Sequence, residues 1–345
     1  MKSRRQKRLM RNIRRPFEWL GIWLGVLVLA SLSHRMLLRL CDFMAAVMYR
    51  FDARGRKRAL ANLRIVMDAG NARRERYCPN RLAYEPSHAE ELVIRRSYRN
   101  MARTVGHAFW TCRNARARVA ESGEMSAEGK SFLAANRPAV TVSGHIGCWE
   151  ILSQLAFLEG HPMMSVAKDI GTGGMTAMLM KARTSIGQEI VHADGAFRPL
   201  MEGLKQGKSL GLLVDQVVKP KDGGIWVRFF GRPHPVSAAP AFFAAKGKAP
   251  IVVAWSRPLK DGRYRCEVLD VIPAAEARDV WGTTQRCLSG LERVIRRHPS
   301  CWVLNYNCFR KVPTEKELAE LERRESAACA AEMFSHRQLW YNNVP

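Results

Sequence analysis

One histidine stands where a strand should give way to a helix, five residues before a glutamate. The segment reads Thr141-Val-Ser-Gly144-His145-Ile-Gly147-Cys-Trp-Glu150. Just upstream, Pro138 to Val142 is short, apolar and β-branched, which predicts a buried strand. Gly144 permits a tight turn, and open α/β sheets bind ligands at the carboxyl ends of their strands. A carboxylate in the first turns of the following helix can turn back toward the imidazole. Holding one ring nitrogen fixes the tautomer and leaves the other free as a general base. The helix N-terminus adds backbone N–H groups for a developing oxyanion. Taken alone, H-x4-E is a weak pattern. The rival chemistries are weaker still. A zinc site would need H-E-x-x-H or a second His at ligand spacing, and no metal is expected. There is no G-x-S-x-G elbow, and Ser143 precedes the turn instead of crowning it. Without a P-loop or G-x-G-x-x-G there is no sign of a nucleotide cofactor.

The elements needed to position His145 can be read in order. Ile146 to Leu158 is the helix after the turn, and Met163 to Val166 a second strand. Met175 to Ile186 is helical, Glu189 to Val191 a short strand, and Phe197 to Lys205 a helix. Ser209 to Val214 is another buried strand, so Asp215 and Gln216 end it at the same sheet edge. Strands follow at Ile225 to Phe230, Pro250 to Trp255 and Tyr264 to Ile272. Thr284 to Arg297 is a helix, Cys301 to Tyr306 a last strand, and Lys316 to Met333 a charged amphipathic helix. Upstream, Arg35 to Met67 and Leu92 to Ala120 have helical spacing, joined by a connector from Asp68 to Glu91. Alternating strands and helices predict an α/β fold with a mixed, mostly parallel central sheet flanked by helices.

Length and charge bound the rest. The chain has 345 residues, with 56 Lys and Arg against 31 Asp and Glu, a formal net charge of +25. Such a surface seeks anionic partners. Eight basic residues lie within the first fifteen, followed by the uncharged run Trp19 to Ser33. A span needs about 20 residues, with a lower limit of about 17. The segment over 17–34 therefore reads either as a short spanning helix or as one lying in the membrane interface. Basic residues flank both sides, which leaves orientation open and suits a helix inserted from the cytoplasmic side. No small-residue cleavage site follows promptly, so a cleaved signal is not expected. The nine cysteines form no C-x-x-C, which suits a reducing compartment. A nucleic-acid binder could share the charge, but no zinc finger or RRM signature is present, and the N-terminal charge flanks an apolar run. The expected division is a basic segment at 1–16, a membrane helix at 17–34 and a helical arm with connector at 35–94. An α/β domain at 95–312 and a C-terminal helix and tail at 313–345 follow.

The segment Ser143-Gly-His-Ile-Gly-Cys-Trp-Glu150 resembles the GHxGNWE motif of the bacterial late acyltransferases of lipid A biosynthesis. Further likenesses follow in the same order along residues 14 to 312. They are Pro16-Phe-Glu-Trp-Leu-Gly21, the stretch Asp52 to Leu63, Arg183-Thr-Ser-Ile-Gly187, Asp215-Gln216 and Phe229-Phe-Gly-Arg-Pro233. The sequence departs from the family where Cys148 stands for Asn, and where Val236 to Pro240 replaces T-x-x-G-P. The resemblance implies an enzyme of the inner membrane, working on its cytoplasmic face. It would move a fatty acyl chain from acyl carrier protein to a hydroxyl of a lipid A precursor, with no cofactor beyond the donor's phosphopantetheine. Another lipid acceptor is the alternative. In that reading His145 is the base, Glu150 orients it, and amides near Gly147 bind the oxyanion. Arg183 is then an anion contact, while Lys168, Asp215 and Gln216 lie near the substrate. Phe229 and Phe230 are candidates for an acyl groove.

Overall fold

The computed structural model describes residues 24–68, 83–167 and 173–342. The expected basic segment, the start of the 17–34 helix, most of the connector, and Lys168 lie outside the described residues. Among those described, no helix is long and apolar enough to cross a membrane.

Among the described residues five helices precede the first strand, and the first four are α1 over 24–31, α2 (His34–Phe51), α3 (Ala53–Met67) and α4 (His88–Trp110). The sequence predicts one helix from Arg35 to Met67, but Asp52 divides it. Its N–H closes α2 on the carbonyl of Met48, while its carboxylate accepts from the Gly55 N–H at 2.7 Å and starts α3. An N-terminal carboxylate satisfies donors that a helix cannot pair itself. The Tyr98 hydroxyl donates to the same carboxylate at 2.9 Å, tying this junction to α4. Helix α4 opens with a full capping box between Ser87 and Glu90.

The rest runs α5 (Ala115–Ser122), β1 (Gly123–Met125), α6 (Ala127–Ala135), β2 (Val140–Ser143), α7 (Trp149–Leu158), β3 (Met163–Ala167), α8 (Gly173–Thr184), β4 (Glu189–His192), α9 (Phe197–Lys205), β5 (Ser209–Leu213), β6 (Gly224–Phe229), β7 (Arg232–Ser237), α10 (Ala239–Gly247), β8 (Ile251–Pro258), β9 (Tyr264–Ile272), α11 (Val280–Arg297) and α12 (Glu315–Asn342). Seven strands form one sheet in the order β1-β9-β8-β2-β5-β3-β4, and β6-β7 is a separate hairpin. Within the large sheet only β8 and β9 pair antiparallel. The chain is therefore an α/β fold with a mixed, mostly parallel sheet flanked by helices. Helices α5 to α7 pack on one face, and α9 to α11 on the other. Strands covered on both sides need apolar residues throughout, and β2 is buried at all four positions.

Strand β2 sits between β8 and β5, with Ser143 level with Leu213. That register carries the two turns after β2 and β5 to the same edge, and joins His145 to Asp215 across 70 residues.

Cys301 to Tyr306 is not a strand. Pro299–Cys301 is a 3₁₀ turn, and only Trp302 makes a bridge, to Ile146. Side chains take the place of a ladder. The Ser97 hydroxyl donates to the Trp302 carbonyl at 2.6 Å, and Asn62 donates to the carbonyls of Leu304 and Tyr306, both at 2.7 Å. The apolar run is real, but it is buried against α3 and α4 instead of beside a strand.

Candidate active site

His145 lies in the turn after β2. Two backbone features fix it. Gly144 faces Asp215 so closely that a Cβ there would sit 3.1 Å from the Asp215 carboxyl carbon. Gly147 adopts φ +62°, and a Cβ would fall 1.8 Å from the carbonyl oxygen of Ser256. Only glycine takes that conformation and that approach together. Residues Ile146 and Gly147 are thereby pinned to Trp302 and Ser256, and the helix starts at Trp149, three residues later than the sequence pattern suggests.

The carboxylate on the imidazole is Asp215. Its Oδ1 accepts from His145 Nδ1 at 2.8 Å, and its Oδ2 accepts from the His145 backbone N–H at 2.9 Å. Trp302 Nε1 donates to the same Oδ2 at 2.9 Å. Asp215 is 2% exposed. Burial pushes its carboxyl up, but the charge of His145 and these hydrogen bonds outweigh it and hold the group below the usual carboxylate range. The backbone carbonyl of Asp215 accepts from the buried His234 Nε2 at 3.2 Å. Burial drives that imidazole down to about 4, so it stays neutral at physiological pH.

An ionised Asp215 is acceptor-only, so when the imidazole is neutral its proton sits on Nδ1 and Nε2 presents its lone pair. The imidazole is partly exposed and faces a cavity of about 1210 Å³, bounded also by Trp149, Gln216, Leu152, Phe197 and Phe243. Gln216 Nε2 lies 3.2 Å from His145 Nε2. A base held on one nitrogen, open on the other to a large and mainly apolar cavity, can take a proton from a hydroxyl on a lipid-like molecule.

Four expectations need correction. Glu150 does not reach the imidazole. It lies in the first turn of α7 and binds Arg183, which donates from Nε to Oε2 at 2.8 Å and from Nη2 to Oε1 at 2.5 Å. The pinned Ile146–Gly147 segment reverses the chain, so Glu150 faces α8 instead of His145. Its link to the base is indirect: Trp149 Nε1 donates to Glu150 Oε1 at 3.0 Å, and the Trp149 ring stands 4.9 Å from that of His145, edge to face. Arg183 is accordingly not a free anion contact, because its fork is filled by Glu150. Burial lowers the affinity of the guanidinium for its proton, yet the Glu150 hydrogen bonds and charge more than restore it. Gly147 offers no oxyanion donor, because its N–H binds the Cys301 carbonyl at 2.9 Å. Phe229 and Phe230 are fully buried and line no groove. Their rings stand 5.7 and 5.8 Å from that of Trp302 and back the indole that holds Asp215.

Asp215 and Gln216 were expected near the substrate, and both contact the His145 imidazole. Trp302 and His234 were missed as site residues. The only signal for Trp302 was an aromatic in a buried run, and for His234 a histidine two residues past Arg232 in a hairpin. Among the described residues no three His, Cys, Asp or Glu groups come together as a metal ion would require.

The arrangement sets an imidazole held by a carboxylate beside a large, mainly apolar cavity. The family described as bacterial lipid A biosynthesis acyltransferase matches residues 4–311. The chain belongs to that family. It is thus an acyltransferase of the lipid A type, and its acceptor is a lipid. No curated protein matches the chain. The match extends over the α2 to α4 helices as well as the sheet, so the segments that brace Trp302 belong to the acyltransferase and are not an appendage.

Proposed function

We propose that the protein transfers a fatty acyl chain from acyl carrier protein to a hydroxyl of a sugar-bearing, tetra-acylated lipid A precursor at the cytoplasmic face of the inner membrane. The observation that carries this reading is the His145–Asp215 pair, with Nε2 turned into the 1210 Å³ cavity. The acceptor hydroxyl donates to Nε2, and its oxygen attacks the thioester carbonyl as the proton moves to the imidazole. Asp215 stabilises the imidazolium. Collapse of the tetrahedral species breaks the C–S bond, and the imidazolium returns the proton to the departing thiolate. A thioester is already activated, so direct transfer suffices. The Glu150–Arg183 pair clamps α7 to α8 and holds Trp149 against the base. Lys219 and Arg310, both exposed at the cavity rim, suit the phosphates of the acceptor.

Membrane attachment through α2 fits the same reading. Met36, Phe43, Met44 and Phe51 recur at helical spacing and are 54, 63, 46 and 80% exposed. Leu37, Cys41, Ala45 and Tyr49 pack inward, and exposed Arg35, Arg39 and Arg50 flank the outer apolar face. An apolar face edged by arginines fits the headgroup boundary of an anionic bilayer.

The test is transfer by the wild-type protein from a panel of acyl carrier protein thioesters to the tetra-acylated, sugar-primed precursor, run beside lysophospholipid and aminolipid acceptors. Transfer to the precursor is expected. Transfer to another lipid alone would move the substrate, and transfer to none would remove the reading.

A further inference from the structure

The base of the free enzyme is capped. Asp215 accepts three hydrogen bonds and donates none, so in the neutral imidazole, the form that acts as a base, Nδ1 carries the proton and Nε2 accepts. In that state the 3.2 Å contact with Gln216 is a donation from its NH₂ group, because the opposite carboxamide orientation would set two lone pairs against each other. An amide N–H thus occupies the position that the acceptor's hydroxyl proton must take.

Three backbone donors around the site are already taken. The N–H of His145 is bound to Asp215, that of Gly147 to the Cys301 carbonyl, and that of Ile151 to the Cys148 carbonyl. Gln216 is the polar side chain that touches the reactive nitrogen, lines the same cavity and carries N–H donors with no negative charge.

We propose that Gln216 is a catalytic residue: its carboxamide gives up His145 Nε2 to the incoming hydroxyl and donates instead to the thioester carbonyl oxygen as that oxygen becomes negative. This rests on the acyl-transfer reading above. The hydroxyl oxygen would lie about 2.8 Å from Nε2, close to where the amide now lies, and the carbon it attacks is one bond further. The displaced amide needs only a side-chain swing to reach the carbonyl oxygen on that carbon. Electrons balance without a further reactant. The hydroxyl lone pair forms the new C–O bond, its proton goes to Nε2, and the carbonyl π pair moves to the oxygen that accepts from Gln216. Capping also keeps the lone pair of the base from an idle water until a hydroxyl with a better claim arrives.

The experiment measures kcat and KM for wild type, Gln216→Ala and Gln216→Glu with an acyl-pantetheine thioester and with its dithioester analogue, using an acceptor lipid that the wild type acylates. Losing one oxyanion donor typically costs 10²–10³ in kcat. Gln216→Ala is expected to fall by about that factor, with KM within a few-fold. Gln216→Glu, which removes the donor and adds a negative charge, falls at least as far. Sulfur is a poor hydrogen-bond acceptor, so the dithioester should be disfavoured by the wild type and much less so by Gln216→Ala. This ratio is internal to each protein and does not depend on how much of it folds. Unchanged or raised kcat in Gln216→Ala would mean that the amide only caps the base, and an unchanged dithioester ratio would equally overturn the proposal. His145→Ala, measured alongside, separates the two failures: if it is inactive while Gln216→Ala is not, the base stands and the role of Gln216 falls.

Discussion

Replacing Asp215 by Asn alters one atom and should stop the enzyme without unfolding it. The carboxylate now serves three donors, with the His145 N–H and Trp302 Nε1–H both on Oδ2 and His145 Nδ1–H on Oδ1. A carboxamide has one acceptor end. Turned to face the two N–H groups, its oxygen keeps both bonds and its NH₂ meets His145 Nδ1. That nitrogen must then be the acceptor, so the proton moves to Nε2 and the base faces the cavity with a donor in place of a lone pair. In the Ser-His-Asp hydrolases the same exchange costs about 10⁴ in kcat through the wrong tautomer, about 5 kcal/mol of transition-state stabilisation. We expect a loss of 10³–10⁴ here by the same cause. Stability should change little, whereas Asp215→Ala would strand buried donors at about 1–3 kcal/mol each. The assay is single-turnover acyl transfer, with ¹⁵N NMR of His145 to read the tautomer. Retention of more than about a tenth of the wild-type rate by a folded Asp215→Asn, when the tautomer argument calls for a loss of 10³ or more, would refute the reasoning.

Three other outcomes are expected. Glu150→Ala leaves Arg183 buried and unpaired, with a side chain only 15% exposed; stability should fall by about 3–5 kcal/mol, measured by urea unfolding, and Glu150→Ala/Arg183→Ala should recover part of it. His107 and His234 are buried and pushed down to about 3 and about 4. Both unfold into a chain that binds protons more readily, so their stability is complete above about 6.5 and declines as pH falls, by about 2.7 kcal/mol per unit for the pair between 6.5 and 4; replacing either by Asn should roughly halve that slope in denaturant titrations. Phe43→Ser/Phe51→Ser should weaken co-sedimentation with anionic vesicles by roughly a hundredfold, about 3 kcal/mol for two phenylalanines removed from apolar contact, while an unchanged partition would remove α2 from the membrane contact.

Much of the fold was legible because period and burial agree. Phe197–Lys205 and Tyr264–Ile272 are the expected helix and strand to the residue. Failures came where a side chain overrides a pattern. Asp52 cuts a helix that periodicity runs through, and Ser97 and Asn62 convert an apolar run at 302–306 from strand to braced loop. The turn that holds His145 was legible, but the residue that pairs with its imidazole was not. Glu150 was near in sequence, whereas Asp215 is near only because β2 and β5 are neighbours, and strand order is not written in either strand. The same long-range pairing hid Trp302, which reaches Asp215 from 87 residues away. Arg183 read as an anion contact because a lone arginine shows no partner in sequence.

The central claim is that His145, held by Asp215, takes the proton from the acceptor's hydroxyl. Its most direct test is single-turnover acyl transfer to the lipid acceptor by wild type and His145→Ala, at matched folded fraction checked by thermal unfolding. General-base catalysis with orientation predicts a loss of at least about 10²–10⁴ in the transfer step, with donor and acceptor still bound. A folded His145→Ala that transfers the acyl chain within a few-fold of wild type would contradict it.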